Sequence, residues 1–154
     1  MAELTKDDVK VKVSGQDRKV AAGRKIISLP DITFGDGSKT YPTGGVPLPG
    51  IGHFGLKKEI QRLFIQQPSK NGFVYKYDPE NHKIKVFTQG VTTGSTSAAA
   101  TEDGALVEKS DGAEGDVRLS NTSADSTYDL GEMIELPSGV ALSETTLAAM
   151  VVGE

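Results

Sequence analysis

The residues Gly50-Ile51-Gly52-His53-Phe54-Gly55 fit G-x-G-x-x-G, the spacing with which a glycine-rich turn brings backbone amides to a pyrophosphate. That chemistry needs a buried strand before the turn and a helix after it whose N-terminus points at the phosphates. Pro47 and Pro49 occupy the place of the strand, and the residues after Gly55 support about one helical turn, so the run reads as a glycine-rich loop. Gly35-Asp36-Gly37-Ser38-Lys39-Thr40 resembles the end of a phosphate loop, but Ser38 separates Gly37 from Lys39 and no glycine stands at the required upstream position. A hairpin turn explains it better. His53 and His82, the two histidines, have no Asp, Glu or His at the spacing of a helix-borne metal pair or a catalytic dyad. Asp111, Glu114 and Asp116 could gather around Ca²⁺, yet they lack the ligand order and bidentate Glu of an EF-hand loop, and a solvated acidic loop is the plainer reading. The chain has no cysteine, which removes disulfides, thiolate metal sites and a Cys nucleophile together. The expectation is a non-enzymatic protein without catalytic, cofactor-binding or metal-binding residues and without a small-molecule substrate.

What these residue types do support is contact. In the run Tyr41-Pro42-Thr43-Gly44-Gly45-Val46-Pro47-Leu48, Gly44 and Gly45 allow close backbone approach, and Pro42 and Pro47, with Pro49, reduce the entropy lost on docking. Tyr41, Val46 and Leu48, with Ile51 and Phe54 just beyond, offer apolar anchors. These ten residues, Tyr41 to Leu48 with Ile51 and Phe54, are expected to form a protein–protein interface. The competing role for the same loop is to close the core of its own domain.

The elements around the loop are strands. Residues 1–23 are polar, with Val9, Val11 and Val13 alternating against Lys10 and Lys12, and are read as an N-terminal arm or an edge strand, the arm being preferred. Residues 24–34 form a strand in which Ile27 and Leu29 share one face and Ile32 and Phe34 share one. The phase slips at Pro30-Asp31, and a bulge there would return both pairs to the same side. One helical turn over residues 56–60 leads into a strand over 60–66 and a turn at 68–72. Phe73, Tyr75 and Tyr77 alternate with Val74, Lys76 and Asp78, and Ile84 and Val86 with Lys83 and Lys85. With Pro79-Glu80-Asn81-His82 between them this is a β-hairpin, Asn81 being expected in the left-handed position. Residues 88–131 form a polar excursion, Pro137-Ser138-Gly139 is a turn, and residues 146–153 are read as a last strand. The fold class is therefore mainly β: one antiparallel sandwich or barrel-like domain over residues 24–154, jelly-roll or β-tulip-like, with long loops.

Composition agrees. Leu, Ile, Val and Phe number 37 of 154 residues, above the roughly 20 % below which chains tend to stay disordered. Trp is absent and glycine numbers 18, so the core is thin and burial against neighbouring subunits is a natural remedy. The net charge of −4 hides a split: residues 1–87 hold 15 Lys or Arg against 9 Asp or Glu, and residues 88–154 hold 2 against 12. Such asymmetry orients a protein on a partner or lets subunits attract head to tail. Scattered basic residues and a pI near 5.2 disfavour nucleic acid. No stretch reaches 18 apolar residues and the first ten have no signal-peptide core, so synthesis in a cytosol with no membrane partner is expected.

The order Phe34-Gly-Asp-Gly-Ser-Lys-Thr-Tyr-Pro-Thr-Gly-Gly-Val-Pro-Leu48, then Gly55-Leu56, Gly72-Phe-Val-Tyr-Lys-Tyr-Asp78 and Lys83-Ile-Lys-Val86, resembles tailed-bacteriophage virion proteins, as does the closing Thr146-Leu-Ala-Ala-Met-Val-Val-Gly-Glu154. They are similar to capsid decoration, or cement, proteins. The likeness covers residues 24–87 and about the final ten. It implies a small β domain, a homotrimer in the usual case, bound to the major capsid protein on the outer surface of the head and made in the bacterial cytoplasm. A tail, neck or head-fibre component, and a carbohydrate-binding sandwich, are the alternatives.

Overall fold

The computed structural model describes residues 2–13, 19–68, 72–93 and 128–154. Over these the strands are β1 (Lys10–Lys12), β2 (Lys19–Ala22), β3 (Lys25–Ser28), β4 (Asp31–Phe34), β5 (Val46–Pro47), β6 (Ile60–Ile65), β7 (Val74–Asp78), β8 (Lys83–Thr93), β9 (Tyr128–Glu135) and β10 (Thr145–Gly153). They make two antiparallel sheets. The larger runs β1-β4-β10-β3-β2, with β6 on the free edge of β10; the smaller runs β5-β8-β7, with β9 also on β8. The class expected from the sequence is the one found, a mainly β protein of sandwich-like antiparallel sheets, and no closed barrel forms among the described residues.

The larger sheet is organised by β10, whose Leu147, Ala149 and Val151 are buried while Thr146, Ala148 and Met150 are exposed, the period of two expected of a strand with one face on the core. β3 and β4 lie along one edge of β10 as a single line. Val151 stands opposite Ser28, Ala148 opposite Asp31 and Leu147 opposite Ile32, so the register does not shift between the two strands. The expected bulge at Pro30-Asp31 is thus absent. Pro30 merely interrupts the ladder, lacking an N–H, while its carbonyl still accepts from Ala149 N–H at 3.0 Å. With the phase unbroken, Ser28, Pro30, Ile32 and Phe34 point inward and Ile27 and Leu29 point out, which over residues 27–30 is the reverse of what apolarity alone favours.

Between the sheets, Ile32, Phe34, Leu147 and Val151 of the larger meet Tyr75, Ile84 and Val86 of the smaller, with Phe34 and Tyr75 edge to face at 6.1 Å between ring centroids. Of residues 1–23, read as an arm or an edge strand with the arm preferred, the described part supplies the edge strands β1 and β2, and Leu4 and Val9 are buried in the core. The helical turn stands at Ile51–Phe54, a 3-10 turn ended by Gly55 at φ 77°, and not at residues 56–60. The β7–β8 hairpin forms as expected, except that His82 (φ 52°), not Asn81, takes the left-handed position. The polar excursion proves to be flanked by strand: β8 runs on to Thr93 and pairs with β9. Residues 94–127, including Asp111, Glu114 and Asp116, lie outside the described residues.

Candidate functional site

The loop expected to grip a partner is turned into its own domain. Tyr41, Pro42, Gly45, Val46, Leu48 and Phe54 are buried, Gly44, Pro47 and Ile51 are partly covered, and Thr43 is exposed. The physical reason is local pairing: β5 adds to β8 through Val46↔Ile84 and Pro47↔Lys83, which swings the apolar side chains beneath the smaller sheet. A Cβ on Gly45, already at φ 108°, would come within 3.0 Å of the Ile84 carbonyl oxygen, so the close approach that glycine permits here is made to the chain's own β8. The expectation of a row of offered anchors is corrected accordingly: Tyr41, Val46, Leu48 and Phe54 are core, and what the run leaves for a partner is Thr43 with the rims of Gly44, Pro47 and Ile51.

Tyr41 explains why the run is so particular in sequence. Tyr75 and Val86 face each other across β7 and β8, and Tyr75 sends its N–H and C=O away from β8 to the Gln67 side chain, at 2.8 and 2.9 Å. Val86 correspondingly points its own groups the other way, where β5 has ended at Ile84 and β9 begins opposite Phe87. Its C=O accepts from Leu136 N–H at 2.8 Å, and its N–H donates to the Tyr41 hydroxyl at 3.2 Å. That hydroxyl donates in turn to Glu135 Oε1 at 2.8 Å. Burial, with the Glu135 carboxylate beside it, raises the Tyr41 hydroxyl far above the ordinary phenol range. It stays protonated and serves as a structural plug.

The other motifs resolve into turns. In Gly35–Thr40, Asp36 Oδ1 accepts from the N–H groups of Ser38 (2.8 Å) and Lys39 (2.7 Å), so the amides that a phosphate would need are already taken. His82 Nε2 donates to the Pro49 carbonyl at 2.9 Å, leaving Nδ1 to accept from the Tyr77 hydroxyl at 3.0 Å, and the ring thus ties the hairpin tip to the loop. Among the described residues no three His, Asp or Glu side chains gather as a metal site would require.

Among the described residues, large apolar side chains are exposed on one face of the larger sheet, with Val74 of β7 and Met133 of β9 exposed on the smaller. Cross-strand register places Val20, Ile27 and Val152 in one outward row and Leu29, Met150 and Phe64 in the next. Val20 is 56 % exposed, Phe64 53 %, Leu29 41 % and Met150 39 %, figures that belong to a surface and not to a core edge. Beside the second row the small Ala148 leaves a groove of about 500 Å³ between Leu29 and Phe64, lined also by Pro30, Ile65 and Met150 and by the polar Asp31 and Gln66. Contiguous apolar area of this kind marks a binding face more often than chance exposure. Around it stand Lys10 and Lys12, outward on β1, with Lys25 and Arg62.

Sequence reasoning missed this face. The signal was present in residues 25–34, 60–65 and 145–153, each apolar on both sides of a strand, but the bulge inferred at Pro30 folded Ile27 and Leu29 into the core and cancelled it. No family model matches the chain. No curated protein matches it. No solved structure matches it either.

Proposed function

We propose that the chain is a non-enzymatic structural protein of a tailed-phage virion: a capsid decoration, or cement, protein bound to the major capsid protein on the outer surface of the head, with sister copies of itself as a trimer. The observation that carries this reading is the apolar outer face of the larger sheet, where Leu29, Phe64, Met150 and Val20 stand in water close together, the other exposed large apolar side chains among the described residues, Val74 and Met133, lying on the smaller sheet. A protein surface of matching size is what such a face fits. The order of residues 34–48, 72–86 and 146–154 adds the likeness to virion proteins.

Its action is mechanical. A contact made only with the intact shell adds to the free energy of shell rupture by linkage, and it does so with no reacting atom, cofactor, nucleic acid or membrane. A stiff sandwich suits the task, because Tyr41 and Gln67 stitch the smaller sheet so that strain is passed on and not absorbed by slipping strands. The test compares purified heads with and without this protein under heat or pressure. Decorated heads should survive to higher temperature; equal failure of both sets refutes the role. Copy number per particle separates the head from the tail, neck or fibre, since a decoration protein repeats over the whole shell.

A further inference from the structure

We infer that the outer face of the larger sheet docks on an acidic protein surface with an apolar centre, and not on a second copy of this chain. The inference rests on the decoration reading for which particle is met; it adds which side of the molecule meets it and the charge of what is met.

The register supplies the geometry. Lys10 and Lys12 of β1 lie opposite Thr33 and Asp31, which lie opposite Thr146 and Ala148 of β10, so both lysines stand on the same outward face as Met150 and Phe64. Arg62 stands opposite Val152 at the other flank. The carboxylates on this face are fewer: Asp31 lies within the lysine rows and lines the groove, Glu59 accepts from Gln61 Nε2 at 2.6 Å, and Glu154 is approached by Lys25 at 3.6 Å and Lys58 at 3.5 Å. A chain of net charge −4 therefore turns a cation-rimmed apolar face outward. Charge at the rim of an interface selects partners and steers their approach. Two copies laid face to face would oppose two positive rims, which works against a self-paired interface. An acidic rim on the partner converts the same charges to attraction, and the apolar side chains between them supply the adhesion.

Two variants at exposed positions separate the two parts, and circular dichroism checks that each folds. Phe64→Glu places a carboxylate at the apolar centre; the triple variant Lys10→Glu, Lys12→Glu, Arg62→Glu reverses the rim. Co-sedimentation with heads prepared without this protein should fall at least about tenfold for each, one buried charge or a reversed rim being worth that much at an interface. Wild-type binding should also weaken as salt is raised, and binding of the triple variant should not. Unchanged sedimentation of Phe64→Glu overturns the face; wild-type affinity and salt dependence in the triple variant overturn the acidic partner. Anilinonaphthalene sulfonate, an apolar anion, reads the same face with no heads present. Its fluorescence should rise with wild type, less with the triple variant and least with Phe64→Glu. Wild type that fails on heads yet binds the dye removes the decoration reading alone, whereas no dye response removes the inference. An oligomer in light scattering that Phe64→Glu takes apart overturns it in favour of a second copy.

Discussion

Replacing Tyr41 by Phe keeps a fully buried ring in place and removes one oxygen, which makes it a clean test of whether this residue serves the fold or a partner. The hydroxyl accepts from Val86 N–H at 3.2 Å and donates to Glu135 Oε1 at 2.8 Å. Without it Val86 N–H faces the gap between β5 and β9 with no acceptor, and an unsatisfied buried amide costs about 1–3 kcal/mol. Glu135 loses less, because its carboxylate is partly exposed and Lys85 lies at 4.0 Å. We expect a total of about 2 kcal/mol, which for a chain of this size lowers Tm by roughly 4–8 °C. Urea titration followed by circular dichroism should move the midpoint without changing the slope, and hydrogen exchange should locate the loss at the Val86 amide. Once folded, the variant should occupy heads as wild type does. Wild-type stability together with weakened docking would return Tyr41 to the interface and refute the reasoning.

Gly45→Val should lower stability by about 2–3 kcal/mol, since a β-branched residue at this positive φ is strained and its Cβ presses on β8; a normal melt with lost docking would contradict the burial of this loop. Ser28→Ala should raise stability by about 1 kcal/mol, because the Ser28 hydroxyl is buried with no hydrogen-bond partner among the described residues; a destabilised variant in the same urea titration counts against that. Gln67→Ala should cost about 1–2 kcal/mol and speed exchange of the Tyr75 N–H, which loses Gln67 Oε1 as acceptor while the Tyr75 carbonyl loses Gln67 Nε2 as donor. Acid titration bears on Asp8, whose carboxyl is held down at about 2 first by the hydrogen bond from Lys39 and then by the backbone and hydroxyl of Thr5. A folded pKa below the unfolded one means that its contribution is present in full above about pH 4 and is lost as pH falls towards 2. A carbon-detected NMR titration of Asp8 should find that low midpoint, and Lys39→Met should raise it.

Much of the fold was legible because it obeys local rules. The alternation in residues 73–78 and 83–87 specifies a hairpin whatever surrounds it, and Pro79 with three polar residues specifies where it turns. The last strand was legible for a related reason: Leu147, Ala149 and Val151 alternate with less buried neighbours, although small and β-branched residues made a helix arguable. Less was legible at residues 24–34. Alternation there would have put Ser28 inside and Leu29 outside, and the hydrophobic preference of each residue pointed the other way. The conflict was settled by β10, which holds residues 26–34 in one register, and no inspection of the strand alone contains that partner.

The same division separates loop from face. By itself the sequence determined the class of the fold, the absence of thiol chemistry, the hairpin, and a glycine- and proline-shaped run made for close backbone approach, since each depends on residue types and near neighbours. Which chain that run approaches was decided by tertiary pairing, when β5 joined β8 and carried Tyr41, Val46 and Leu48 inward. Tertiary structure also decided which face is offered to partners. Segments around residues 20–29, 60–65 and 145–153, distant from one another in the chain, each contribute a few outward apolar residues too few to notice alone, and only their lateral alignment makes them one surface.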